Sequence, residues 1–507
     1  MRQPAVLAAL AVVLLPADAS NAQDAPTAAA RGPNVIVVMT DDQRYDDMGP
    51  MVNTRRLIAG EGVSFTRSYV SYPVCCPSRA TFLTGQYAHN NGVKCLYPDC
   101  GGGYAALRQK EYLPVWLRQA GYTTGHIGKF LNGYGTPGQG GPEVPRGWDE
   151  WYGLVDPFTY RMWGYKIFEN GTTKTYGRLR RERRRLYQTD VLRNKALEFI
   201  RGHARDDAPF FLSVAFLAPH HETGHTQDLT GHLVRPAPRH RGRYAGMPLP
   251  KPPNYNEQDM NDKPPFFRRW HRKLSPNREA AILTRMHERW ESLLAVDEAV
   301  ADIIGELRRF GELDNTYVVF TSDHGYMQGE HRIPLGKMLP YDPSTQVPLF
   351  IRGPGIPHGR RTKALVGNVD LAPTILKATS AKAGLTLDGH SLLPFARNPG
   401  LRSLRPLLHE TVGNGAGGHT NTREGGARGE QTRVPAWSAV RTTRWLYVEY
   451  RGGQSELYNL RRDPYEMRSV AKDPRRRQDR RTLRRILNDL RNCRGARCAA
   501  IASPTVR

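Results

Sequence analysis

Short apolar runs that end in polar residues recur along the chain and predict the strands of a sheet. The clearest runs are Asn34–Met39, Tyr122–Ile127, Phe210–Leu217 and Thr316–Phe320. Between and after them, apolar residues recur every three or four positions, which predicts helices. These helices are Tyr112–Ala120, Asp190–Arg201 and Glu288–Phe310. Because strands and helices alternate, we expect an α/β fold with a mainly parallel sheet flanked by helices, and a site at the carboxyl ends of its strands.

The C-terminal part of the chain has a different pattern. The segments Trp437–Arg441 and Trp445–Tyr450 predict a hairpin, and apolar residues on one face predict a helix over Thr482–Leu490. We therefore expect a large α/β domain over residues 33–400 and a smaller α+β domain over residues 401–507.

Two segments predict long loops. Residues 221–273 are rich in Pro, His and Arg and have weak periodicity, which predicts a long excursion over the surface. Gly and small polar residues dominate residues 411–430, which predicts a mobile loop or lid within the C-terminal domain.

The N-terminus has the pattern of a signal peptide. Arg2 precedes an unbroken apolar stretch from Ala5 to Leu15, and small residues follow at the spacing that signal peptidases recognise. We expect residues 1–22 to be removed, with cleavage after Ala19 or Ala22. The alternative, a buried N-terminal helix, is disfavoured because a polar, Ala-rich linker follows the stretch. No later apolar run is long enough to span a bilayer, so we expect an exported protein, secreted, periplasmic or at the cell surface, without a transmembrane segment.

The six cysteines occur as three pairs: Cys75 with Cys76, Cys95 with Cys100, and Cys493 with Cys498. In an oxidising compartment the last two pairs are candidates for local disulfides, although connectivity does not follow from sequence alone. Zinc is the alternative, but the spacing is CxxxxC rather than CxxC and no His follows at finger spacing. Adjacent cysteines are poorly placed to bridge to each other, so the first pair suggests a special chemical role.

The chain is strongly basic, with 73 Lys and Arg against 48 Asp and Glu and a net charge of +25. A field of that sign attracts anions, so an anionic substrate or partner is favoured. We interpret the Arg-rich runs at 178–185 and 475–485 as solvated surfaces and expect no nucleic acid partner. A secreted protein that only binds polyanions is one alternative, but it would need no carboxylates at strand ends.

Carboxylates follow two of the predicted strands. Asp41 and Asp42 come directly after the first, and Asp323 follows the run that ends at Phe320. Three carboxylates brought together cannot all stay ionised without a cation between them, and their hard oxygens favour Ca²⁺ or Mg²⁺ over zinc. An Asp-Asp pair alone is often a helix cap, but the pairing with Ser322-Asp323-His324-Gly325 favours a metal site.

The segment Cys75-Cys76-Pro77-Ser78-Arg79, followed by Leu83-Thr84-Gly85, resembles the signature of the formylglycine-dependent sulfatases. The resemblance implies that Cys75 is oxidised after synthesis to formylglycine (3-oxoalanine) by a formylglycine-generating enzyme. The hydrated aldehyde would then be the nucleophile, with Arg79 holding it in place. Cys76 occupies the variable position of the signature, which accounts for the two adjacent thiols.

The resemblance extends from about Pro33 to Met467 and implies an alkaline-phosphatase-like fold. It implies one Ca²⁺ per chain, held by a set of ligands from three segments: Asp41, Asp42, Cys75, Asp323 and His324. It also implies catalytic roles for three further residues: Lys129, His220 and Lys337. From the residues alone, either His220 or Lys337 could protonate the leaving alcohol. Many family members have a histidine two residues after the first lysine, whereas this chain has Leu131 there and Asn132 next.

Three further segments look closest to the N-acetylglucosamine-6-sulfatase branch of the family. They are Gly147–Leu154, Asp323–Tyr326 and Val347–Ile356. The likeness implies a sulfated carbohydrate substrate, a 6-O-sulfated N-acetylglucosamine or a glycosaminoglycan-type sugar. A phosphate- or phosphonate-ester hydrolase of the same superfamily is the second alternative, because it would use the same ligands at the strand ends.

Overall fold

The structure is a computed structural model that describes Met1 and residues 32–138, 141–222, 234–413 and 434–502. Two predicted segments fall largely outside this part of the chain. Apart from Met1, the predicted signal peptide over 1–22 lies outside the described residues. The same is true of the predicted mobile loop over 411–430, except for its first three residues.

The strands of the described residues form three sheets. In chain order they are β1 (Asn34–Thr40), β2 (Val63–Phe65), β3 (Ser68–Tyr69), β4 (Thr123–Gly128), β5 (Glu150–Leu154), β6 (Tyr165–Glu169), β7 (Thr172–Tyr176), β8 (Phe210–Ala215), β9 (Thr316–Ser322), β10 (Leu349–Arg352), β11 (Arg360–Thr362), β12 (Val366–Gly367), β13 (Leu407–Thr411), β14 (Trp437–Arg441), β15 (Trp445–Tyr450) and β16 (Ser455–Asn459).

The α-helices of the described residues range from single turns to a helix of 34 residues. In chain order they are α1 (Val52–Thr54), α2 (Cys75–Thr84), α3 (Ala88–Asn91), α4 (Leu113–Gln119), α5 (Gln188–His203), α6 (Pro265–Trp270), α7 (Pro276–Arg309), α8 (Asp342–Thr345), α9 (Leu371–Thr379), α10 (Leu393–Arg397), α11 (Arg477–Arg491) and α12 (Ala496–Ala500). A π-helical turn, Arg55–Ala59, continues α1.

The main sheet has ten strands in the order β11-β2-β10-β9-β1-β8-β4-β5-β6-β7. Its middle, from β9 to β5, is parallel, while β10, β6 and β7 run antiparallel to their neighbours. The four strands predicted from the apolar runs are β1, β4, β8 and β9, which are adjacent in this parallel middle. The predicted α/β class is therefore confirmed, with a mixed sheet because the outer strands reverse direction.

Side chains alternate between the two faces of the sheet, and helices cover both faces. On β1, Val35 and Val37 belong to the same buried cluster as Cys75 of α2, whereas Ile36 and Val38 pack in a cluster with residues of α5 and α7. Because both faces are buried, the central strands are apolar throughout. The polar residues that follow these strands are therefore concentrated at the carboxyl edge of the sheet.

The C-terminal strands β13 to β16 form a separate antiparallel sheet against which α11 packs. The predicted hairpin is β14 and β15, and the predicted helix is the C-terminal two thirds of α11. Leu483, Ile486, Leu487 and Leu490 are the apolar face of this helix and are buried in one cluster with Trp445. The domain limits at residues 400 and 401 stay predictions.

The long helix α7 begins twelve residues before the position predicted from its apolar pattern. The start of the helix is marked by capping residues. The Ser275 side chain accepts a hydrogen bond from the Arg278 N–H, and Pro276 occupies the first turn. Most of its first residues are only partly buried, which explains why they lack an apolar period. The predicted surface excursion over 221–273 is described except for residues 223–233. Residues 234–264 contain no α-helix or named strand, but α6 lies within the remainder, where no helix was predicted.

Both predicted local cysteine pairs are disulfide-bonded in the structure: Cys95 with Cys100 and Cys493 with Cys498. Cys75 and Cys76 are buried at the start of α2. Among the described helices, none combines the length and the apolar composition needed to cross a bilayer.

Candidate active site

A buried polar cluster lies at the carboxyl edge of the main sheet. Asp41 and Asp42 follow β1, and Asp323 and His324 follow β9, which pairs with β1 so that Thr40 is opposite Ser322. Cys75 at the start of α2 completes the cluster. One possible ligand atom from each of four of these residues lies within 4.8 Å of the others: Asp41, Cys75, Asp323 and His324. The structure thus brings together segments that are separated by up to 283 positions in the sequence.

The backbone at Asp42 turns sharply between the two strand ends. Its φ of 67° lies in the left-handed region, which is rare for a residue with a side chain. The Asp42 N–H donates a hydrogen bond of 3.2 Å to Asp323 Oδ1, which also accepts the N–H of His324 at 2.9 Å. These bonds hold the carboxylates of the two strands in one fixed arrangement.

Cys75 is wholly buried and is surrounded by charged and titratable groups. Its Sγ lies 3.3 Å from both His324 Nε2 and Lys337 Nζ, and 3.6 Å from Asp41 Oδ1. Lys337 Nζ also lies 3.0 Å from Asp42 Oδ1. Burial opposes the lysine charge, but Asp42 and Cys75 raise the pKa of Lys337 above its ordinary value, so this cation persists at neutral pH.

Arg79 lies one turn after Cys75 on α2 and joins three segments of the cluster. Its Nε donates to Asp323 Oδ2 at 2.9 Å, its Nη2 to Asp41 Oδ2 at 3.2 Å and its Nη1 to the carbonyl oxygen of Lys129 at 2.8 Å. Gly85, at a φ of 64°, ends this helix. The segment from Cys75 to the final glycine of the signature is thus one complete helix with its left-handed cap.

Lys129 follows β4 and its Nζ forms an ion pair with Asp41 Oδ2. The Nζ also lies 4.6 Å from the ring centre of Tyr160, a cation–π distance. Asn132 Nδ2 lies 2.7 Å from the hydroxyl oxygen of Tyr160. Asn132 therefore positions the ring of Tyr160 beside Lys129. The position at which many sulfatases have a histidine is occupied by Leu131 in this chain.

His220 is buried next to Asp42. Its Nδ1 is 2.7 Å from the carbonyl oxygen of His221, which can only accept, so Nδ1 carries the proton of the neutral ring. Its Nε2 is 3.6 Å from Asp42 Oδ2. Burial lowers the pKa of His220 to about 4 despite the two nearby carboxylates, so the ring is neutral at pH 7.

Asp41 and Asp42 are ionised. Burial favours their neutral forms, but Lys129, His220 and Arg79 together hold the pKa of Asp41 well below its ordinary value. Lys337 and the two histidines do the same for the pKa of Asp42. The cluster therefore combines fixed negative and positive charges out of contact with bulk water, where their fields are strong.

The residues present fit a divalent cation. Asp42 Oδ2 and His220 Nε2 are both buried, and neither has a hydrogen-bond partner among the described residues. Both atoms are hydrogen-bond acceptors, and burial of two acceptors next to each other is unfavourable unless a cation or a proton lies between them. Hard carboxylate oxygens predominate among the candidate ligands, which include Asp41, Asp42 and Asp323. His324 adds one nitrogen, and Cys75 in its unmodified state adds one sulfur.

All the residues expected in the site lie in or beside this cluster, but three neighbours were missed by sequence reasoning. His221 stacks on His220 with ring centroids 4.3 Å apart. Arg289 of α7 donates from Nη2 to the carbonyl oxygen of Asp42 at 2.6 Å, and Tyr160 lies next to Lys129. His221 could have been found from its position next to His220 after a predicted strand. No motif surrounds Tyr160 or Arg289, so their proximity to the site follows from the fold and not from local sequence.

Comparisons with known proteins identify the family of the chain. The model of the family described as Sulfatase matches residues 33–381. The chain belongs to the sulfatase family and is a sulfuric ester hydrolase, which confirms the resemblance in the signature. Members of this family use a metal ion and formylglycine.

The chain is similar to the N-acetylglucosamine-6-sulfatase of Homo sapiens, at 33% identity over 471 residues that cover 88% of this chain and 82% of the relative. This confirms the likeness to that branch. A solved complex with the substrate D-glucosamine-2-N,6-O-disulfate has a TM-score of 0.74 at 23% identity, covering 92% of this chain and 98% of that one. A phosphonate monoester hydrolase from Silicibacter pomeroyi has a TM-score of 0.69 at 24% identity, covering 91% and 96%. These two structures show the shared alkaline-phosphatase-like fold.

Proposed function

We propose that the protein removes the 6-O-sulfate of N-acetylglucosamine or of a glycosaminoglycan-type sugar, with Cys75 converted to formylglycine and Ca²⁺ in the acidic cluster. The observation that carries the proposal is the placement of Cys75, 3.3 Å from Lys337 Nζ and within 4.8 Å of the ligand atoms of Asp41, Asp323 and His324. The substrate part rests on the similarity to the human N-acetylglucosamine-6-sulfatase.

Formylglycine would supply a hydrated aldehyde whose hydroxyl group attacks sulfur. Arg79 lies on the same helix face as Cys75, and its hydrogen bonds to Asp41 and Asp323 hold its guanidinium in place. The side chain at position 75 is therefore oriented by a rigid helix and by charges fixed on both sides, which limits the conformations of the reacting group.

A calcium ion, once bound, would offset the charge of the sulfate group and favour the ionised nucleophile. The residues that would hold it are Asp41, Asp42, Asp323 and His324, together with residue 75. Calcium is preferred over zinc because three carboxylates predominate and the only thiol beside them is the residue that is modified.

Lys129 and Lys337 supply fixed positive charge on two sides of residue 75. Both ammonium groups already pair with aspartates of the cluster, so they are positioned before the substrate arrives. A sulfate monoester carries one negative charge, and more charge develops on its bridging oxygen as the bond to sulfur breaks. Preorganised cations stabilise that charge more than they stabilise the substrate itself.

Two side chains can protonate the leaving alcohol. Lys337 holds a proton at neutral pH, whereas His220 is neutral there and would have to take up a proton before it could donate one. A leaving group of low pKa needs no proton. We therefore expect loss of the donor to reduce hydrolysis of a sugar sulfate at least tenfold more than hydrolysis of nitrophenyl sulfate, and comparison of Lys337→Met with His220→Ala identifies it.

The proposal is tested on protein isolated from a host that contains the modifying enzyme. Mass analysis of the peptide with residue 75 should show loss of one sulfur and two hydrogens and gain of one oxygen, and elemental analysis should find about one calcium per chain. N-acetylglucosamine 6-sulfate should be hydrolysed faster than the matching phosphate ester. Full activity with an unmodified Cys75, stoichiometric zinc without calcium, or a preference for phosphate or phosphonate esters would each contradict one part of the proposal.

We also propose that the protein is exported. Two disulfides within the described residues and the signal-peptide pattern support an oxidising destination outside the cytoplasm. N-terminal sequencing of the mature protein should begin at residue 20 or 23.

A further inference from the structure

Helix α7 carries two buried arginines one turn apart, Arg285 and Arg289. Arg289 has several partners: it donates to the carbonyl oxygen of Asp42 at 2.6 Å and pairs with Asp47 at 3.1 Å. Arg285 is 4% exposed, yet it has no hydrogen bond or ion pair with any residue in the described part of the chain. The two arginines lie on the same helix, but only Arg289 has polar partners among the described residues.

Arg285 lies at the border of the active site. Residues four positions apart stack on one helix face, so it lies next to Arg289, whose guanidinium covers the ring of Tyr326 at 4.8 Å. Its charge acts on His221, whose ring stacks on that of His220. His221 Nε2 is buried and also has no hydrogen-bond partner among the described residues. His221 in turn belongs to a buried group with Asp42 and His220, whose possible ligand atoms all lie within 4.8 Å of one another.

An arginine that is buried without a partner is unfavourable for folding. Burial lowers the pKa of Arg285, and the nearby Tyr326 and Glu288 only partly compensate. Guanidinium groups in proteins normally find carboxylate or phosphate partners, with which they form paired hydrogen bonds. Arg285 lacks such a partner and lies near a site for an anionic substrate. The missing partner is explained if a bound ligand supplies the anion.

We propose that Arg285 is a specificity-determining residue that binds a second anionic group, sulfate or carboxylate, of the sugar whose 6-sulfate is hydrolysed. The inference rests on the proposed function and adds to it a preference for substrates with two negative charges. The second anion has two sources in such chains: an N-sulfate on the same glucosamine, or the carboxylate of a neighbouring uronic acid.

The experiment compares three substrates that share the 6-sulfate of glucosamine. N-acetylglucosamine 6-sulfate carries one negative charge, D-glucosamine-2-N,6-O-disulfate carries two, and a disaccharide of N-acetylglucosamine 6-sulfate linked to a uronic acid carries its second charge on the next ring. In Arg285→Gln, we expect kcat/KM for one of the doubly charged sugars, relative to the singly charged sugar, to fall about tenfold. The substrate whose ratio falls identifies the source of the anion.

Two further variants give the comparison its controls. Arg308 lies on the same helix but is exposed, so Arg308→Gln removes the same charge without changing the site, and its ratios should equal those of the wild type. Arg285→Lys keeps the charge but loses the paired hydrogen bonds, and its ratio should lie between those of the wild type and Arg285→Gln.

Thermal unfolding supplies a readout that does not depend on turnover. Removal of an unpaired buried charge should raise the Tm of Arg285→Gln without ligand, whereas a merely structural arginine would lower it. In the Cys75→Ala background, the Kd of the preferred doubly charged sugar should rise about tenfold when Arg285 is also replaced by Gln.

The outcomes separate this inference from the proposed function. Hydrolysis of none of the three sugars by the wild type would overturn the substrate assignment and the inference that rests on it. Hydrolysis of all three, with every ratio unchanged in Arg285→Gln, would leave the proposed function standing and overturn the role of Arg285. A lower Tm with unchanged ratios would identify it as a structural residue.

Discussion

The negative charges of the aspartates in the active site are balanced by an equal number of positively charged side chains. Asp41, Asp42 and Asp323 are each in contact with one or more of the three cations Arg79, Lys129 and Lys337. Three negative and three positive charges leave the cluster nearly neutral in this structure. A bound divalent cation therefore leaves an excess of two positive charges, which matches an anionic ester. Such a balance also limits the unfavourable burial of like charges.

The two adjacent cysteines provide a test at the level of single residues. Cys76 contacts Asn132, whose backbone N–H donates to its Sγ at 3.0 Å, whereas Cys75 faces the charged cluster. Cys75→Ala should lower kcat for sulfate esters about a thousandfold or more, because no nucleophile remains. Cys76→Ala removes one buried thiol and should lower kcat less than about tenfold. Both are measured with nitrophenyl sulfate; equal losses in the two variants would contradict the assignment of the nucleophile.

Among single residues, the sequence predicts the site residues that lie within a recognisable motif and misses those that do not. Cys75 and Arg79 could be predicted because the signature spans a single helix, so its sequence spacing is also its spatial spacing. Asp323 could be predicted because it ends a strand. Arg289 could not be predicted as a neighbour of the site, because an arginine within an amphipathic helix has the same local pattern whether it faces solvent or the active site.

At the level of elements, central strands were predicted well and edge elements were not. β1, β4, β8 and β9 are apolar because both faces of the sheet are covered, so their sequences differ clearly from loops. β2, β11 and β12 have two or three residues each, too few to show any period. The strands that hold the site were thus predictable, whereas these short strands depend on pairing partners distant in sequence.

Helix α2 depends on its C-terminal glycine. Gly85 has a φ of 64°, and a Cβ atom there would lie 2.9 Å from Leu387 Cδ2, while Gly311 has a φ of 73° with no atom within 4 Å of its Cβ position. Gly311→Ala should therefore lower the free energy of unfolding by about 1 kcal/mol, through backbone strain alone. Gly85→Ala should lower it by about 2 kcal/mol, since strain and steric contact add.

Denaturant unfolding of the two glycine variants measures this difference. The activity of the folded fraction of Gly85→Ala should stay within about twofold of the wild type, because Cys75 lies at the other end of the helix. Equal destabilisation by both substitutions would show that Leu387 moves aside without cost.

Strand β13 contains a histidine that makes stability depend on pH. His409 is fully buried, its Nδ1 lies 2.9 Å from the carbonyl oxygen of Val70, and burial lowers its pKa to about 4. The unfolded chain takes up this proton near pH 6.5, so stability is lost as the pH falls from about 6.5 towards 4. Between pH 7 and pH 5 this residue alone should destabilise the fold by about 2 kcal/mol.

The variant His409→Gln isolates that contribution. It keeps a group that can donate to Val70 but does not titrate, so its unfolding free energy should fall about 2 kcal/mol less than that of the wild type between pH 7 and pH 5. Urea unfolding at the two pH values measures both. The same pH dependence of the unfolding free energy in both proteins would show that the pKa of His409 does not change on folding.

Over the whole molecule, the net charge of +25 is distributed mainly over the surface, while the buried site is nearly balanced. The Arg-rich runs predicted to be solvated are exposed or partly buried where their side chains are described, as on α11, whose outward face carries Arg481, Arg484 and Arg485. These charges lie outside the sulfate site. Their effect on catalysis must therefore act through the field around the molecule, before the substrate binds.

The dependence of activity on salt tests this role of the surface. The Debye length falls from about 10 Å at about 0.1 M salt to about 3 Å at about 1 M, so salt screens long-range steering far more than contacts inside the buried site. We expect kcat/KM for a long sulfated glycosaminoglycan to fall at least tenfold over this range, and kcat/KM for nitrophenyl sulfate to fall less than about threefold. Measurements at constant pH and saturating calcium exclude protonation and metal loss as causes. Equal salt dependence for the two substrates would show that the basic surface does not contribute to substrate capture.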